Sequence, residues 1–460
     1  MDLNNIKIGV IGDGETIDLI HRLIDKTRSS GFEESDDKPL EWARFPPINK
    51  EGRWSAELDV NEVLHEEKIT HTDLNPVLDI EDDGKRISAM SDVIMDKIRK
   101  ITDPDPEPDV IICGIPKIVN KFCGTNLSKS DIKIESSFDI EKEESQERLS
   151  SFVEDAKSST KVKETALDLR AATKARAMER NVPIQFLSQN ILEVLVGDET
   201  TNEHESKIAW NIWSAIYYKA GAYPWKLPSK DDNTIFVGVS FYEEEKLPNK
   251  PLKTAMAQVF TPVGKTLVIK GLPVESSEDR TPKMSKKGIN ELMSRVKEAY
   301  STNIDNSINR MVVHKSSEFN EDEIEAFRDN LEGIQEYDLV SIKKSSDFNL
   351  LRKKSKSIYR GTATQIEKDK ALLYTTGRKP LYDVYDGHAI PSPLLVRRDE
   401  GDSSMREICR EIIQLTKVNY NNARFSQRLP FTLQFAKAAK KVFKEMDPSK
   451  EPKAKYRYYM

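Results

Sequence analysis

Four residues in the middle of the chain have types and spacing suited to holding a small, highly charged anion. Arg170 and Lys174 lie four apart in a stretch that reads as a helix, Ala166 to Arg180, so both side chains fall on one face. The short predicted strand that follows, Pro183 to Leu187, brings in the amide of Gln185. Lys219 ends a later predicted helix, Ile208 to Lys219, beside Gly221, where the lack of a side chain permits close approach of a ligand. Two or three cations and one amide donor can enclose a terminal phosphate, whose double negative charge rewards several charge-assisted hydrogen bonds at once. An internal phosphodiester carries one charge and does not fit a closed pocket of this kind. Taken singly, each residue also has an ordinary role: solvated cations on an amphipathic helix, an amide bonded to backbone, a lysine capping its helix's C-terminus.

These residues need a scaffold, and the composition allows one. At 460 residues with 37% hydrophobic content the chain is long enough for two or three packed domains, despite 32% charged residues. No apolar run approaches the roughly 20 residues that span a bilayer, and the start lacks a secretory pattern, so a cytoplasmic, membrane-free protein is expected. Cys113, Cys123 and Cys409 have no CxxC spacing and are expected to be reduced; the six histidines show no helical metal-binding pair. The net charge is −6, but its distribution says more. Lys343 to Lys379 holds eleven Lys/Arg against three Asp/Glu, and Arg424 to Arg457 ten against three, which gives the C-terminal half basic faces suited to a phosphate backbone.

Along the chain, Ile6 to Gly12 alternates as a strand and turns at Gly12-Asp13-Gly14 into a helical pattern. GVIGDGE lacks the full GxGxxG spacing and the Walker lysine, so no nucleotide-binding loop is assigned. Arg86 to Ile101 reads as a helix, and Asp109 to Pro116 as a strand buried in a parallel sheet. Ser128 to Lys163 is rich in Glu, Ser and Lys and reads as an exposed loop or mobile helix, with an insertion as a further reading. Helix, strand, helix and strand around PDVIICGIP form a Rossmann-like α/β unit. Beyond Asp231 strands cluster first and helices follow, with a last helix expected over Phe431 to Phe443.

The ordered set Arg170, Lys174, Gln185 and Lys219, followed by AYPWKL and the strand IFVGVSFY, resembles the MID–PIWI junction of prokaryotic Argonautes. The resemblance covers about Arg86 to the C-terminus and is strongest from Arg170 to Tyr242. It implies an α/β protein with a Rossmann-like MID domain over 86–228, a ribonuclease H-like PIWI domain over 229–460, and a segment 1–85 packing on that core. It makes Arg170, Lys174, Gln185 and Lys219 the ligands of a guide 5′ phosphate, with Lys207 as the alternative phosphate lysine. It also leaves open a Mg²⁺ ion bridging that phosphate with the Met460 carboxylate, and implies no catalytic cofactor.

Active members of that family carry metal-binding acids on the first PIWI strand, after a later strand, and on a late helix. Here those places hold Ser240, Ser316 and Lys437. Two-metal hydrolysis needs anionic oxygens, and an ammonium repels Mg²⁺, so an inactive PIWI domain is expected. The alternative is a guide-directed nuclease whose carboxylates are displaced by a residue or two, among Glu243, Glu244, Glu318 and Glu321. With the short length, the loss resembles the short Argonautes, which implies a guide RNA, a target DNA and an effector protein with a PAZ-like region. That effector, a TIR or sirtuin-like NADase or a nuclease, would supply the toxic chemistry of defence against plasmids and phages.

Overall fold

The computed structural model describes residues 5–36, 42–124, 168–229, 231–244, 252–274, 283–304, 307–345, 349–350, 357–379, 390–421, 427–434, 436–447 and 450–460. The expected loop or helix at 128–163 lies outside them. Two sheets organise the chain.

In the first sheet, β1 (Asn5–Gly12) runs parallel to β2 (Glu57–Asp59) and β3 (Glu66–Lys68) along one edge and to β4 (Val110–Ile115) along the other, with β5 (Ile184–Ser188) beyond β4. Every residue of β4 is buried, as a strand covered on both faces requires. One face carries α1 (Gly14–Ser29), α6 (Gln189–Val196) and α7 (Glu205–Lys219); the other carries α3 (Asp83–Thr102), α4 (Lys117–Cys123) and α5 (Leu169–Ala177). A further short helix, α2 (His71–Leu78), packs on α3. The expected boundary at residue 85 needs correction. β1 hydrogen-bonds to β4, so the N-terminal residues are a central strand of the Rossmann-like domain and not a segment packed against it. The turn after β1 is a helix start: the Asp13 carboxylate accepts from Thr16 N at 2.9 Å and caps α1.

The second sheet has the order β11-β12-β13-β10-β9-β6-β7-β8. Its heart is the antiparallel meander β6 (Thr234–Glu244), β7 (Leu252–Phe260) and β8 (Thr266–Val274), with β9 (Arg310–Lys315) parallel to β6 and β10 (Glu336–Lys344) parallel to β9. This order fits the ribonuclease H-like fold that the resemblance implies for this half of the chain. β13 (Leu394–Gly401) returns antiparallel to β10, and the hairpin β11 (Ala363–Glu367) and β12 (Lys370–Leu373) extends that side. α8 (Lys286–Ile304) and α9 (Glu321–Leu331) cover one face. α10 (Met405–Leu415), α11 (Phe431–Gln434) and α12 (Ala436–Glu445) cover the other; the last two fall where a helix was expected over 431–443, and residue 435 between them lies outside the described residues.

A shared core joins the two sheets. Ala171 and Ala175 of α5 and Tyr218 of α7 are buried with Phe236, Met256, Tyr420 and the C-terminal residues Tyr456, Tyr458, Tyr459 and Met460. Tyr218 stacks on Tyr420 with ring centres 4.4 Å apart, and the Tyr420 hydroxyl donates to Trp225 O at 3.0 Å. The connection 220–229 is thereby tied to both halves.

Candidate nucleic-acid interface

Lys219 is the last residue of α7, and only 1% of it is exposed. The helix stops there because Gly221 takes φ +106°, which a side chain would strain. The glycine expected to admit a ligand therefore has a second task, ending the helix. From that end Lys219 Nζ reaches across to β5, donating to Ile184 O at 2.9 Å and to Gln185 Oε1 at 2.7 Å. Both acceptors are neutral. Among the described residues no carboxylate pairs with Lys219. Burial first, and the charge of Lys174 second, hold its amine well below the usual lysine range.

Lys174 lies half-buried on α5, close enough for its charge to act on Lys219. The structure thus brings Lys174, Gln185 and Lys219 together from three elements, as expected. Arg170 sits one turn earlier on the same helix, capped at its amide by Asp168, and its charge is felt at Cys113 on β4. Burial pushes that thiol up to about 12, so Cys113 is inert. The alternative phosphate lysine is not in this place. Lys207 lies near the other end of α7, roughly 18 Å away at 1.5 Å per residue, and pairs with Glu203 at 2.7 Å. It cannot serve a pocket built at Lys219.

Arg457 escaped the reading of the sequence. It belongs to the C-terminal 3-10 turn Tyr456–Tyr458 and donates to Lys219 O at 3.4 Å and to the Tyr458 hydroxyl at 3.1 Å. The Tyr458 hydroxyl in turn donates to Asn181 O at 3.2 Å, just after α5. Nothing local in the sequence links residue 457 to residue 219; the contact exists only because the chain's last turn folds back between the two sheets. The same fold-back buries Met460 in the shared core.

Two of the places expected to have lost their acids follow one strand pair: Val239 of β6 pairs with Lys315, the last residue of β9, Ser240 continues β6, and Ser316 leaves β9 at a bend. Ser240 Oγ is buried without a hydrogen-bond partner, whereas Ser316 is exposed. α12, which contains Lys437, packs on β6; the side chain of Lys437 lies outside the described residues. Over the same sheet face, α11 sits so close that a Cβ on Gly238 would lie 1.8 Å from Thr432 O. His314, one strand over, bonds Thr432 Oγ1 through Nδ1 at 2.9 Å.

Glu318 is held by Lys343 at 2.9 Å and Arg397 at 3.1 Å, and the Lys343 bond first among causes lowers its carboxyl. Glu321 opens α9 and lines a shallow cleft with Glu325, Asp399 and Glu400. The side chains of Glu243 and Glu244 lie outside the described residues. Among the described residues no three His, Cys, Asp or Glu side chains are grouped to hold a metal ion, and no described helix is long and apolar enough to cross a membrane.

Parts of the two basic stretches are engaged within the protein. Lys343 pairs with Glu318, Lys370 with Glu367 at 2.8 Å, and Lys450 with Glu179. Arg360 is buried, donates to Thr416 Oγ1 at 2.6 Å, and is pulled down to about 10 by burial. The run Arg352 to Lys356 lies outside the described residues.

No family model and no curated protein matches the chain. Solved structures do. The Clostridium butyricum Argonaute bound to a guide DNA and a 19-mer target DNA matches with a TM-score of 0.58 and 16% identity, over 96% of this chain and 48% of that one. A. aeolicus Argonaute matches with a TM-score of 0.52 and 16% identity, over 99% and 49%. Aa-Ago with externally bound siRNA matches with a TM-score of 0.51 and 16% identity, over 100% and 51%. The chain spans about half the length of these structures. Its fold is the mixed α/β fold of Argonaute MID and PIWI domains.

Proposed function

We propose that this chain is a guide-dependent nucleic-acid sensor of the short Argonaute type. The 5′ phosphate of a guide, most simply RNA, is held by Lys174, Gln185 and Lys219 with Arg170 beside them, and the paired target, DNA, lies along the basic faces of the second sheet. The observation that carries this reading is Lys219: a fully buried amine bonded, among the described residues, to two neutral oxygens, with a second lysine beside it. A charge on it would be costly to bury without an opposite charge, so such a site is suited to an anion that arrives from outside. A terminal phosphate has the charge and the acceptor number to use all these donors at once.

In this reading the PIWI domain does not cut, because Ser240, Ser316 and Lys437 stand where metal-binding groups are needed. Pairing with a target then acts through an associated effector with a PAZ-like region, whose NADase or nuclease chemistry serves defence against plasmids or phages. The deciding experiment compares binding of otherwise identical guides ending in 5′ phosphate and 5′ hydroxyl. A preference of tenfold or more for the phosphate is expected, and equal affinity would refute the pocket.

A further inference from the structure

We propose that the pocket takes up a terminal phosphate and one proton together, the proton being delivered from solvent to Lys219 Nζ. The inference rests on the reading of this site as a guide-end pocket. It starts from what surrounds the amine. Nζ is enclosed by β5, which offers Ile184 O and Gln185 Oε1, both neutral and non-titrating. From α5 the facing charge is Lys174, with Arg170 one turn away on the same helix. From the C-terminal turn Arg457 donates to the Lys219 carbonyl oxygen.

A cationic Lys219 would thus be desolvated beside a second cation, Lys174. Burial and Lys174 accordingly favour the neutral amine in the empty pocket. A phosphate entering the site reverses the balance. Above neutral pH it is already a dianion, since its second ionisation falls near about 6, so it brings no proton of its own to give. The dianion favours the ammonium, and the missing proton comes from the solution. Where the empty pocket holds an amine and the filled pocket an ammonium, affinity falls tenfold per pH unit, the linkage for one proton.

The test is calorimetry of the whole chain binding a short 5′-phosphorylated guide RNA, with the 5′-hydroxyl guide as control. Each titration is run near pH 8 in two buffers of different ionisation enthalpy. The difference in apparent enthalpy between buffers counts protons taken up. The expected result is up to one proton more for the phosphorylated guide, with its affinity advantage shrinking as pH rises from 8 to 9. A clear preference for the phosphate with the same proton count for both guides would overturn the coupling while leaving the pocket standing. Equal affinity of the two guides would instead remove the pocket itself. Lys219→Arg, which cannot lose its charge, adds a second reading: where it folds and still prefers the phosphate, the extra proton should vanish, and its persistence would assign the uptake to another group.

Discussion

Val239 of β6 pairs with Lys315 at the end of β9, so Ser240 and Ser316 each follow one member of a single parallel pair. In the proposed reading these two neutral hydroxyls stand where metal-binding acids are needed. The chain loaded with guide should not cut a matched RNA or DNA target in Mg²⁺ or Mn²⁺. Ser240→Asp with Ser316→Asp should not restore cutting either, because α11 is seated on Gly238 and the surrounding groups are not arranged around a metal. A gel assay reads this directly; a product at one fixed position, abolished by chelator, would reinstate the nuclease reading.

The phosphate pocket should be sensitive to single changes. Lys174→Ala or Gln185→Leu removes one charged or polar interaction of about 1.5–3 kcal/mol, or more than tenfold in affinity. The loss should appear with the 5′-phosphorylated guide and not with the 5′-hydroxyl guide. Lys207→Ala should leave both unchanged, because its ammonium is tied to Glu203 at the far end of the helix.

The basic faces act differently from the pocket. Replacing Lys440, Lys441 and Lys444 of α12 by Gln should weaken all guide–target duplexes alike, and should flatten the slope of log affinity against log salt by about 0.9 for each backbone phosphate that is no longer neutralised. An unchanged slope would mean that this helix does not touch the backbone.

The second sheet also hides an ion pair whose loss should be felt throughout the domain. Lys315 and Glu323 are each 1% exposed and meet at 2.6 Å, and Glu323 also accepts from Asn320 N and Met284 N. Glu323→Ala strands a buried ammonium and two amides, and should destabilise the protein by about 3–5 kcal/mol. Urea unfolding measures it. A change under 1 kcal/mol, the about 0–1 kcal/mol typical of a surface pair, would mean that water reaches the site.

His314 predicts an acid sensitivity. Burial, with Arg310 nearby, pulls its imidazole down to about 3, against about 6.5 in the unfolded chain. The unfolded state therefore binds the extra proton first, and stability falls as pH drops from about 6.5 toward 3. Melting temperatures of wild type and His314→Gln over pH 7 to 5 should converge as the pH falls, because the variant lacks this proton. Parallel curves would exclude His314 as the cause.

Much of this was legible in the chain itself, where the signal is local. β4 shows as an unbroken apolar run, α10 as a clearly bounded amphipathic stretch over 405–415, and Arg170 with Lys174 as a shared helix face, because side-chain period and helix spacing are written in adjacent residues. The order Arg170, Lys174, Gln185, Lys219 indicated a pocket without giving its geometry. Short elements such as β2, β3 and α4 carry too few residues to declare a period, and form only where neighbours stabilise them. Tertiary structure alone decided that β1 pairs with β4 and makes the first residues part of the first domain. It alone placed Lys207 away from the pocket and brought Arg457 to the end of α7. The charge state of Lys219 is likewise decided there: a lysine's type fixes what it can donate, but its burial and the company of Lys174 rather than a carboxylate depend on how three distant segments pack.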